Sequence, residues 1–574
     1  MYRSIETFSK KRPFTAFMHR IFFKPVASIL LKKRHSRLLQ LQYRNFEGKI
    51  IRNIGIVTLD PFGYSVDDTA ITPQKVFPKI GNGLHIRTRY MTIRNILLIR
   101  KNKPFDSLLV KESMRLVRRQ NYVREVAFHV VSVKGATDSV DIYIRVSDRW
   151  TIIPNGAGSN TRVTVRLTEN NLIGFGHEFQ NACTWNRSTG RYAFAANYLI
   201  PNIRNSYISA SVRYRIDNFE NSATSLAIER PFYSPLARWA AGVSIAELIQ
   251  KDPPGDTVSG HVRQAVRSII QDYWAGSAHR MLRGNTEGAR TTNAFIAARY
   301  LRLRYLERPS RTHDSLHTYS NEDFYVLGIG ISTRKYFQDN YIFRFGAVED
   351  VPVGKVFGIT GGYQVRNDVD RSYVGARISF GEYFEWGYLS STFEYGTFIH
   401  RLFLEQGVLA ASTRYFSPLL KIGKWRLRQF IKPQVTWGMN RLAHDSLTIN
   451  NDYGIRGFAG TVSGTKKIVL TLQTQSYAPR NVGGFRFGPF LSCSFGMLGN
   501  ATSEFANSRV YSQLGIGVLI NNEHLILSNF QVSLAYYPSM PGRGDNIVKP
   551  NAFRTTDFGL RDFDFGKPGT VVFQ

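Results

Sequence analysis

The sequence predicts a mainly β protein: a transmembrane antiparallel β-barrel preceded by one small α+β domain. Apolar and polar residues alternate in many runs of about ten residues, which is typical of barrel strands. Phe (40), Tyr (29) and Gly (47) are abundant and are spread along all 574 residues. Hydrophobic residues make up 43% of the chain, yet no run reaches the roughly 18 apolar residues of a membrane-spanning helix. A bilayer requires every backbone group of a sheet to be paired, which favours a closed barrel.

The formal net charge of +33 indicates where the basic residues are expected to lie. We expect no nucleic-acid partner, because no helix-turn-helix, zinc-ligand or RNP pattern is present and the arginines recur within strand-like runs. Arginines on the inner wall of a barrel, or facing anionic lipid head groups and lipopolysaccharide phosphates, account for the charge. The two cysteines, Cys183 and Cys493, leave one disulfide open but give no disulfide framework and no metal-type spacing.

Residues 1–47 form a basic N-terminal segment in which apolar side chains are interleaved with Lys and Arg. This pattern fits an amphipathic helix. A secretory signal is the alternative interpretation, but Lys24 interrupts its apolar core and no clear small-residue cleavage site follows. We therefore expect that a signal for this chain lies upstream or has been removed.

Residues 48–150 have the pattern of a small α+β domain. Residues 49–58 alternate as a strand, and Asp106 is the predicted N-cap of a helix whose apolar residues recur at helical spacing. Two further strands, 123–133 and 139–146, are joined by a polar loop and predict a hairpin.

Residues 151–574 contain about 18 or 19 apolar runs with period-two alternation. In 206–217, Ile208, Ala210 and Val212 share one face while Ser209 and Ser211 share the other. A soluble sandwich also shows this alternation, but its apolar faces would have to meet each other. Because the second face is polar or glycine-rich here, a barrel in lipid is the favoured architecture.

A long polar connection at about 441–465 contains the heptapeptide 452–458, DYGIRGF. Gly454 and Gly457 allow the backbone to turn sharply and to present Arg456 in one direction. An exposed loop arginine is the ordinary interpretation of such a short motif taken alone.

Three stretches resemble the BamA/TamA superfamily of outer-membrane assembly barrels. The segments FDSLLVKESMRLVRRQNYVREV and DSVDIYIRVSDRW are similar to a POTRA domain. Ile455-Arg456-Gly457-Phe458 is similar to the V/I-R-G-F/Y motif of the sixth extracellular loop, and five strand-like runs follow it. The C-terminal stretches GIGVLINNEHLILSNFQVSLAYYP and DFGLRDFDF resemble the family's last strands. The resemblance covers about residues 48–574.

The resemblance implies a barrel of about 16 strands in the bacterial outer membrane, with a POTRA-like periplasmic domain at 48–150 and the barrel at 151–574. Arg456 would then point into the lumen from an inward-folded loop and dock on the next two strands. Where the family commonly places acidic residues, this chain has Gln475 and Ser494 as possible latch partners, which lack a carboxylate's charge-assisted bidentate geometry. The first and last strands would lie near 162–168 and 557–565.

The function that the resemblance implies is insertion of proteins into, or translocation across, the outer membrane through a weak barrel seam and a POTRA docking edge at 123–133. The alternative is a diffusion pore or secretion channel of the same fold without insertase activity. We expect no enzyme activity, no catalytic or metal site and no cofactor. The expected partners are outer-membrane lipids and lipopolysaccharide, unfolded outer-membrane or secreted clients, and accessory lipoproteins or periplasmic proteins.

Overall fold

A computed structural model describes residues 43, 45–68, 82–83, 85–133, 135–158, 161–251, 265–310, 314, 317, 319–367, 369–442, 445–480, 482, 485–521 and 529–574. The predicted amphipathic segment, 1–47, lies outside these residues except for its last few. No helix in these ranges is long and apolar enough to cross a bilayer.

The small domain at the N-terminal side is a three-stranded sheet packed against helices. Its strands are β1 (Ile50–Leu59), β2 (Val123–Ser132) and β3 (Ser139–Asp148), in the order β1-β3-β2. The central strand β3 is parallel to β1 and antiparallel to β2. Helix α1 spans Tyr90–Arg94 and helix α2 spans Ser107–Arg118. The core gathers apolar side chains from β3 and from both helices.

The sequence predicted the elements of this domain well. The observed strands agree with the predicted ones to within two residues. Asp106 is the N-cap of α2, and its carboxylate accepts hydrogen bonds from the backbone N–H groups of Leu108 (2.9 Å) and Leu109 (3.2 Å). These two bonds satisfy donors that the first helical turn leaves free. The assignment of this domain to the POTRA type stays a prediction.

The rest of the described chain forms a closed barrel built from antiparallel strand pairs, together with a short helix α3 (Glu287–Thr291). Its strands are β4 (Ile152–Gly158), β5 (Arg162–Leu172), β6 (His177–Asn186), β7 (Tyr192–Ile200), β8 (Ser209–Ile216), β9 (Ser222–Arg230), β10 (Trp239–Gln250), β11 (Val266–Arg280), β12 (Thr292–Glu307), β13 (Glu322–Asn340), β14 (Val348–Arg366), β15 (Val369–Phe384), β16 (Gly387–His400), β17 (Phe403–Phe416), β18 (Leu420–Ile422), β19 (Trp425–Met439), β20 (Lys466–Tyr477), β21 (Arg486–Gly499), β22 (Tyr511–Asn521), β23 (Asn529–Met540) and β24 (Gly544–Pro550).

The outer face of the barrel is apolar. On β13, Tyr325, Leu327 and Ile329 are exposed, whereas the alternating neighbours Phe324 and Val326 are buried. Exposed apolar residues recur in this way around the wall, as on β5, β14 and β22. An exposed apolar belt on a closed sheet is the outer surface of a transmembrane barrel. The predicted mainly β barrel is therefore confirmed.

The strand number and the two terminal strands differ from expectation. In the described ranges the barrel has 21 strands, β4 to β24, rather than about 16. Three-residue β18 lies in the connection between β17 and β19, which also pair directly. The first strand is β4 rather than 162–168, which belongs to β5. The last strand is β24; residues 557–565 form no strand, so their assignment as the last strand was wrong. Five strands, β20 to β24, do follow the heptapeptide.

The wall is uneven in height. Strands β13 and β14 have 19 residues each and pair along their full length. The strands that meet where the barrel closes, β4 and β24, have seven residues each. The small domain contacts the turns β5–β6, β7–β8 and β9–β10 at one end of the barrel. The alternation of strand direction places the β19–β20 loop at the opposite end.

Candidate functional site: the barrel lumen

The long loop between β19 and β20, residues 440–465, folds back against the inner wall. Its two sides are held together by a bridge between Leu447 and Gly464. The side chain of Asn450 fastens the loop a second time, because its amide donates to the Gly460 carbonyl (2.9 Å) and its oxygen accepts from the Gly460 N–H (3.0 Å). The loop is thus a compact unit with its own hydrogen bonds.

Two residues of the predicted motif anchor this loop. Ile455 and Phe458 are both 0% exposed. They belong to one apolar cluster with side chains of the loop itself and of β20, β21 and β23, among them Val469, Phe490 and Tyr537. The motif therefore attaches to the wall mainly by apolar burial.

The backbone at the centre of the motif contacts the wall directly. The Tyr537 hydroxyl donates to the carbonyl of Arg456 (2.5 Å), and Lys549 Nζ donates to the carbonyl of Gly457 (2.8 Å). Gly457 has φ +74°, and a Cβ there would lie 2.1 Å from the Tyr537 hydroxyl oxygen. Glycine is required here both for the left-handed conformation and for the close approach.

The Arg456 guanidinium pairs with carboxylates that the sequence did not suggest. It forms an ion pair with Asp452 within the loop, and its Nη2 lies 3.7 Å from Asp557 Oδ1. Gln475 and Ser494 face the lumen, but neither is hydrogen-bonded to Arg456. The Ser494 hydroxyl bonds Thr471 (3.2 Å), and neither amide atom of Gln475 has a hydrogen-bond partner. The suggested latch partners are thus replaced by Asp452 and Asp557.

The C-terminal segment, residues 551–574, also lies inside the barrel, and we call it the tail. It leaves β24 and crosses the lumen. Phe553 packs edge-on against Phe490 of β21 (ring centroids 5.5 Å apart). Further along, Phe565 stacks on Phe295 of β12 (5.8 Å), on another part of the wall. Near the end, the Val571 N–H donates to the hydroxyl of Tyr373 on β15 (2.8 Å).

Glycines of the wall make room for the apolar side chains of the tail. At Gly328, a Cβ would lie 3.0 Å from both Phe565 and Pro568, and at Gly381 it would lie 2.3 Å from Phe563. Seven lumen-facing glycines would each bring a Cβ to within 3.0 Å of the tail: Gly328, Gly330, Gly358, Gly381, Gly396, Gly438 and Gly515. Because such contacts are tighter than at least nine in ten real Cβ contacts, the wall is shaped to the tail.

Charges of the tail are matched by opposite charges around it. Arg561 Nη2 lies 3.1 Å from Glu394 Oε1 on β16. Asp562 Oδ2 accepts from the Tyr336 hydroxyl (2.6 Å) and lies 3.4 Å from Arg334 Nη1, both on β13. Further polar anchors include ion pairs of Asp557 with Arg456 and of Lys567 with Asp272, and hydrogen bonds from Lys467 to the carbonyl of Gln574 and from Arg299 to that of Pro568.

The tail was not predicted from the sequence, because its apolar residues alternate as those of a strand do. Phe558 and Leu560 alternate, and Phe563 and Phe565 alternate in the opposite phase. That change of phase, together with Gly559 inside the stretch and Gly566 directly after it, was the available signal that it is not a strand. Because the tail was missed, Asp557 was missed as a partner of Arg456.

The structure matches several solved structures, each with low sequence identity and a low TM-score. CdiB from Acinetobacter baumannii covers 88% of this chain and 73% of its own (10% identity, TM-score 0.39). CdiB from Escherichia coli covers 88% of this chain and 75% of its own, with 10% identity and a TM-score of 0.40. BamA from Haemophilus ducreyi lacking POTRA domains 1–3 covers 88% of this chain and 83% of its own, with 14% identity and a TM-score of 0.32. No protein-family model and no curated protein matches the chain.

The small domain reaches the tail through buried side chains at the barrel end. Arg115 of α2 is paired with Glu112 (2.9 Å) and donates to the carbonyl of Tyr233 (3.2 Å). Its guanidinium lies 4.0 Å above the ring centroid of Tyr336, whose hydroxyl bonds Asp562 of the tail. A cation over an aromatic face is attractive, more so when it is shielded from water. One residue of β13 therefore contacts both the small domain and the tail.

A second docking contact joins α2 to α3. Asp106 and Arg290 form a two-pronged ion pair, with Nη1–Oδ1 at 2.9 Å and Nη2–Oδ2 at 2.5 Å. Burial disfavours the charged carboxylate of Asp106. The Arg290 guanidinium and the two helix N–H groups outweigh this effect, so the pKa of Asp106 is lowered from its ordinary value. This stabilisation is complete above the ordinary carboxyl pKa and is lost as the pH falls through the lower, folded-state pKa.

Proposed function

We propose that this protein inserts proteins into, or moves them across, the bacterial outer membrane, and that it does so by opening the barrel between β24 and β4. The observation that carries the proposal is the height of these two strands, seven residues each against 19 in β13 and β14. Each backbone hydrogen bond contributes about 0.5–1.5 kcal/mol net. A pairing of two short strands therefore opens at a smaller free energy than the long pairings opposite.

Opening would expose two strand edges to an incoming chain. An unpaired edge is a template on which an extended segment adds as a further strand. The activity would be physical rather than catalytic, with no cofactor. The resemblance of the sequence to assembly barrels supports the same proposal.

The small domain supplies a further edge for a client or an accessory periplasmic protein. Strand β2 pairs with β3 on one side, and among the described residues no strand pairs with its other side. It presents ten residues, Val123–Ser132. We propose that this edge receives extended segments before they reach the barrel.

Depletion of the protein tests the proposal at the level of the cell. We expect other barrel proteins, or a secreted client, to disappear from the outer membrane or medium. Unchanged barrel content and secretion, with altered uptake of small solutes, would instead identify a diffusion pore.

A disulfide lock tests the seam itself. In a Cys183→Ser, Cys493→Ser background, cysteine pairs are placed with one member in β24 and one in β4. Oxidation of a pair that crosslinks should abolish activity, and a reductant should restore it. The control pair replaces Asn155 and Arg166, which face each other across β4 and β5, and should leave activity unchanged. Full activity with the seam locked would contradict the mechanism.

A further inference from the structure

We propose that the tail, residues 551–574, is a releasable plug of the lumen and that the small domain holds it in place through Arg115 and Tyr336. The inference rests on the proposed function, since a passing chain needs the space that the tail occupies. It assigns a gating role to residues that the sequence placed in a strand.

The tail is a built-in occupant of the lumen. Its apolar side chains meet glycines on the wall, and the carboxylates and cations along it face opposite charges. Matching of both shape and charge over the length of the segment is what a specific binding site shows. The wall is thus complementary to this one peptide.

The tail is also attached in a way that allows release. It is joined to the barrel at β24 alone, and Thr555–Phe558 is its one regular turn. Within the described ranges, a single backbone–backbone hydrogen bond joins it to the wall, from the Asn551 N–H to the Ser533 carbonyl (2.7 Å). Side-chain contacts hold the rest, so the tail can leave without breaking a strand pairing.

The contact between Arg115 of the small domain and Tyr336 of the wall is what controls release of the tail. Asp562 is held by Tyr336 and Arg334, and Tyr336 lies under Arg115 of α2. Arg334 also donates to the carbonyl of Phe232 in the β9–β10 turn (2.8 Å), which lies next to the turn residues that α2 contacts. A client that shifts the small domain removes Arg115 from this cluster and weakens the hold on Asp562. The small domain and the barrel wall thus both affect how firmly Asp562 of the tail is held, which is what coupling between two sites requires.

Release of the tail is tested by filling one of its binding sites on the wall. At Gly328, the three atoms nearest to an added Cβ all belong to the tail, so Gly328→Leu displaces the tail with little change to the wall. The matched control is Gly361→Leu on β14, where a Cβ meets nothing within 4 Å. Tail release is read by maleimide labelling of Val571→Cys, a half-buried tail position whose side chain faces Gly396 on the wall, in a background without Cys183 and Cys493.

We expect Gly328→Leu to raise labelling and to raise single-channel conductance in planar bilayers several-fold, while Gly361→Leu matches the unsubstituted barrel. A chain that ends at Asn551 should show the same high conductance. Raised labelling with unchanged conductance would contradict the proposal that the tail blocks the lumen. Unchanged labelling in Gly328→Leu would contradict the proposal that the tail can leave its binding site. If the shortened chain forms no compact barrel, the conductance of the full-length Gly328→Leu protein tests the plug.

Control by the small domain is tested with a double-mutant cycle. Tyr336→Phe removes the hydroxyl that holds Asp562 but keeps the ring under Arg115. Arg115→Gln removes the cation over the ring. Each should raise tail labelling, and the double variant should raise it by less than the sum of the two single effects, all measured from the unsubstituted protein. Additive effects would overturn the link to the small domain while leaving the plug.

These outcomes separate the plug from the proposed function. Loss of client proteins on depletion, together with unchanged conductance of Gly328→Leu, would keep the function and reject the plug. High conductance of Gly328→Leu with no client loss on depletion would keep the plug and reject the function.

Discussion

The loop 440–465 and the tail both fill the lumen, yet they are held in opposite ways. The loop is fixed at both ends by β19 and β20, carries its own bridge and hydrogen bonds, and buries Ile455 and Phe458 completely. The tail is fixed at one end, has little regular structure and depends on side-chain contacts spread over distant strands. Two tethers restrict a segment to hinge motions, whereas one tether allows it to leave. The loop is therefore a structural part of the wall, and the tail is its movable part.

The largest effect is expected at the buried anchor of the loop. Phe458→Ala should destabilise the barrel by about 3–5 kcal/mol, because it removes a fully buried ring from the cluster. Denaturant unfolding in detergent measures this. Phe403→Ala on β17, where the ring is 74% exposed, is the matched control and should change stability little. A small effect of Phe458→Ala would make the loop as dispensable as the tail.

The corresponding anchor of the tail should behave differently. Phe563 is buried against Gly381, so Phe563→Ala should weaken tail binding by about 3 kcal/mol. Because the released tail leaves the strands paired, barrel unfolding should stay unchanged while protease cleavage of the tail increases. Val572→Ala, at an exposed tail position, should change neither. A loss of barrel stability in Phe563→Ala would remove the distinction between the two segments.

A smaller effect is expected where the loop backbone touches the wall. Gly457→Ala forces a Cβ onto Tyr537 at a positive φ and should destabilise the loop by about 1–3 kcal/mol. Gly190 has a similar φ of +66° with nothing within 4 Å, so Gly190→Ala measures the backbone strain alone. Denaturant unfolding in detergent compares the two variants. Equal effects would show that the contact with Tyr537 contributes nothing.

The smallest effect is expected for the arginine that gave the motif its prominence. The Arg456 side chain is 39% exposed in its pairs with Asp452 and Asp557, and exposed ion pairs contribute about 0–1 kcal/mol. Arg456→Ala should leave the barrel folded and the loop nearly as resistant to protease, but it should loosen the tail at Asp557. Asp452→Ala, which spares that contact, should leave the tail unchanged. Loosening of the loop beyond that in Phe458→Ala would make the ion pair its main anchor.

The sequence predicted what regular patterns encode. Period-two alternation predicted the barrel, and the helical spacing after Asp106 predicted α2. It could not predict where the barrel ends, because the alternating aromatic residues of 557–565 fit a strand as well as a lumen segment. The partner of Arg456 was lost for the same reason. Gln475 follows the predicted inward alternation, but a side chain's direction does not show which loop atom it meets.

The great sequence separation of the tail contacts has a consequence for folding. Lys567 pairs with Asp272, 295 residues earlier, and Arg299 bonds the Pro568 carbonyl across 269 residues. Contacts between such distant segments form late, because the intervening chain must first be ordered. The tail can occupy its place only after β11 to β23 have assembled the surface that receives it. A newly inserted barrel thus passes through an intermediate in which the tail does not yet fill the lumen.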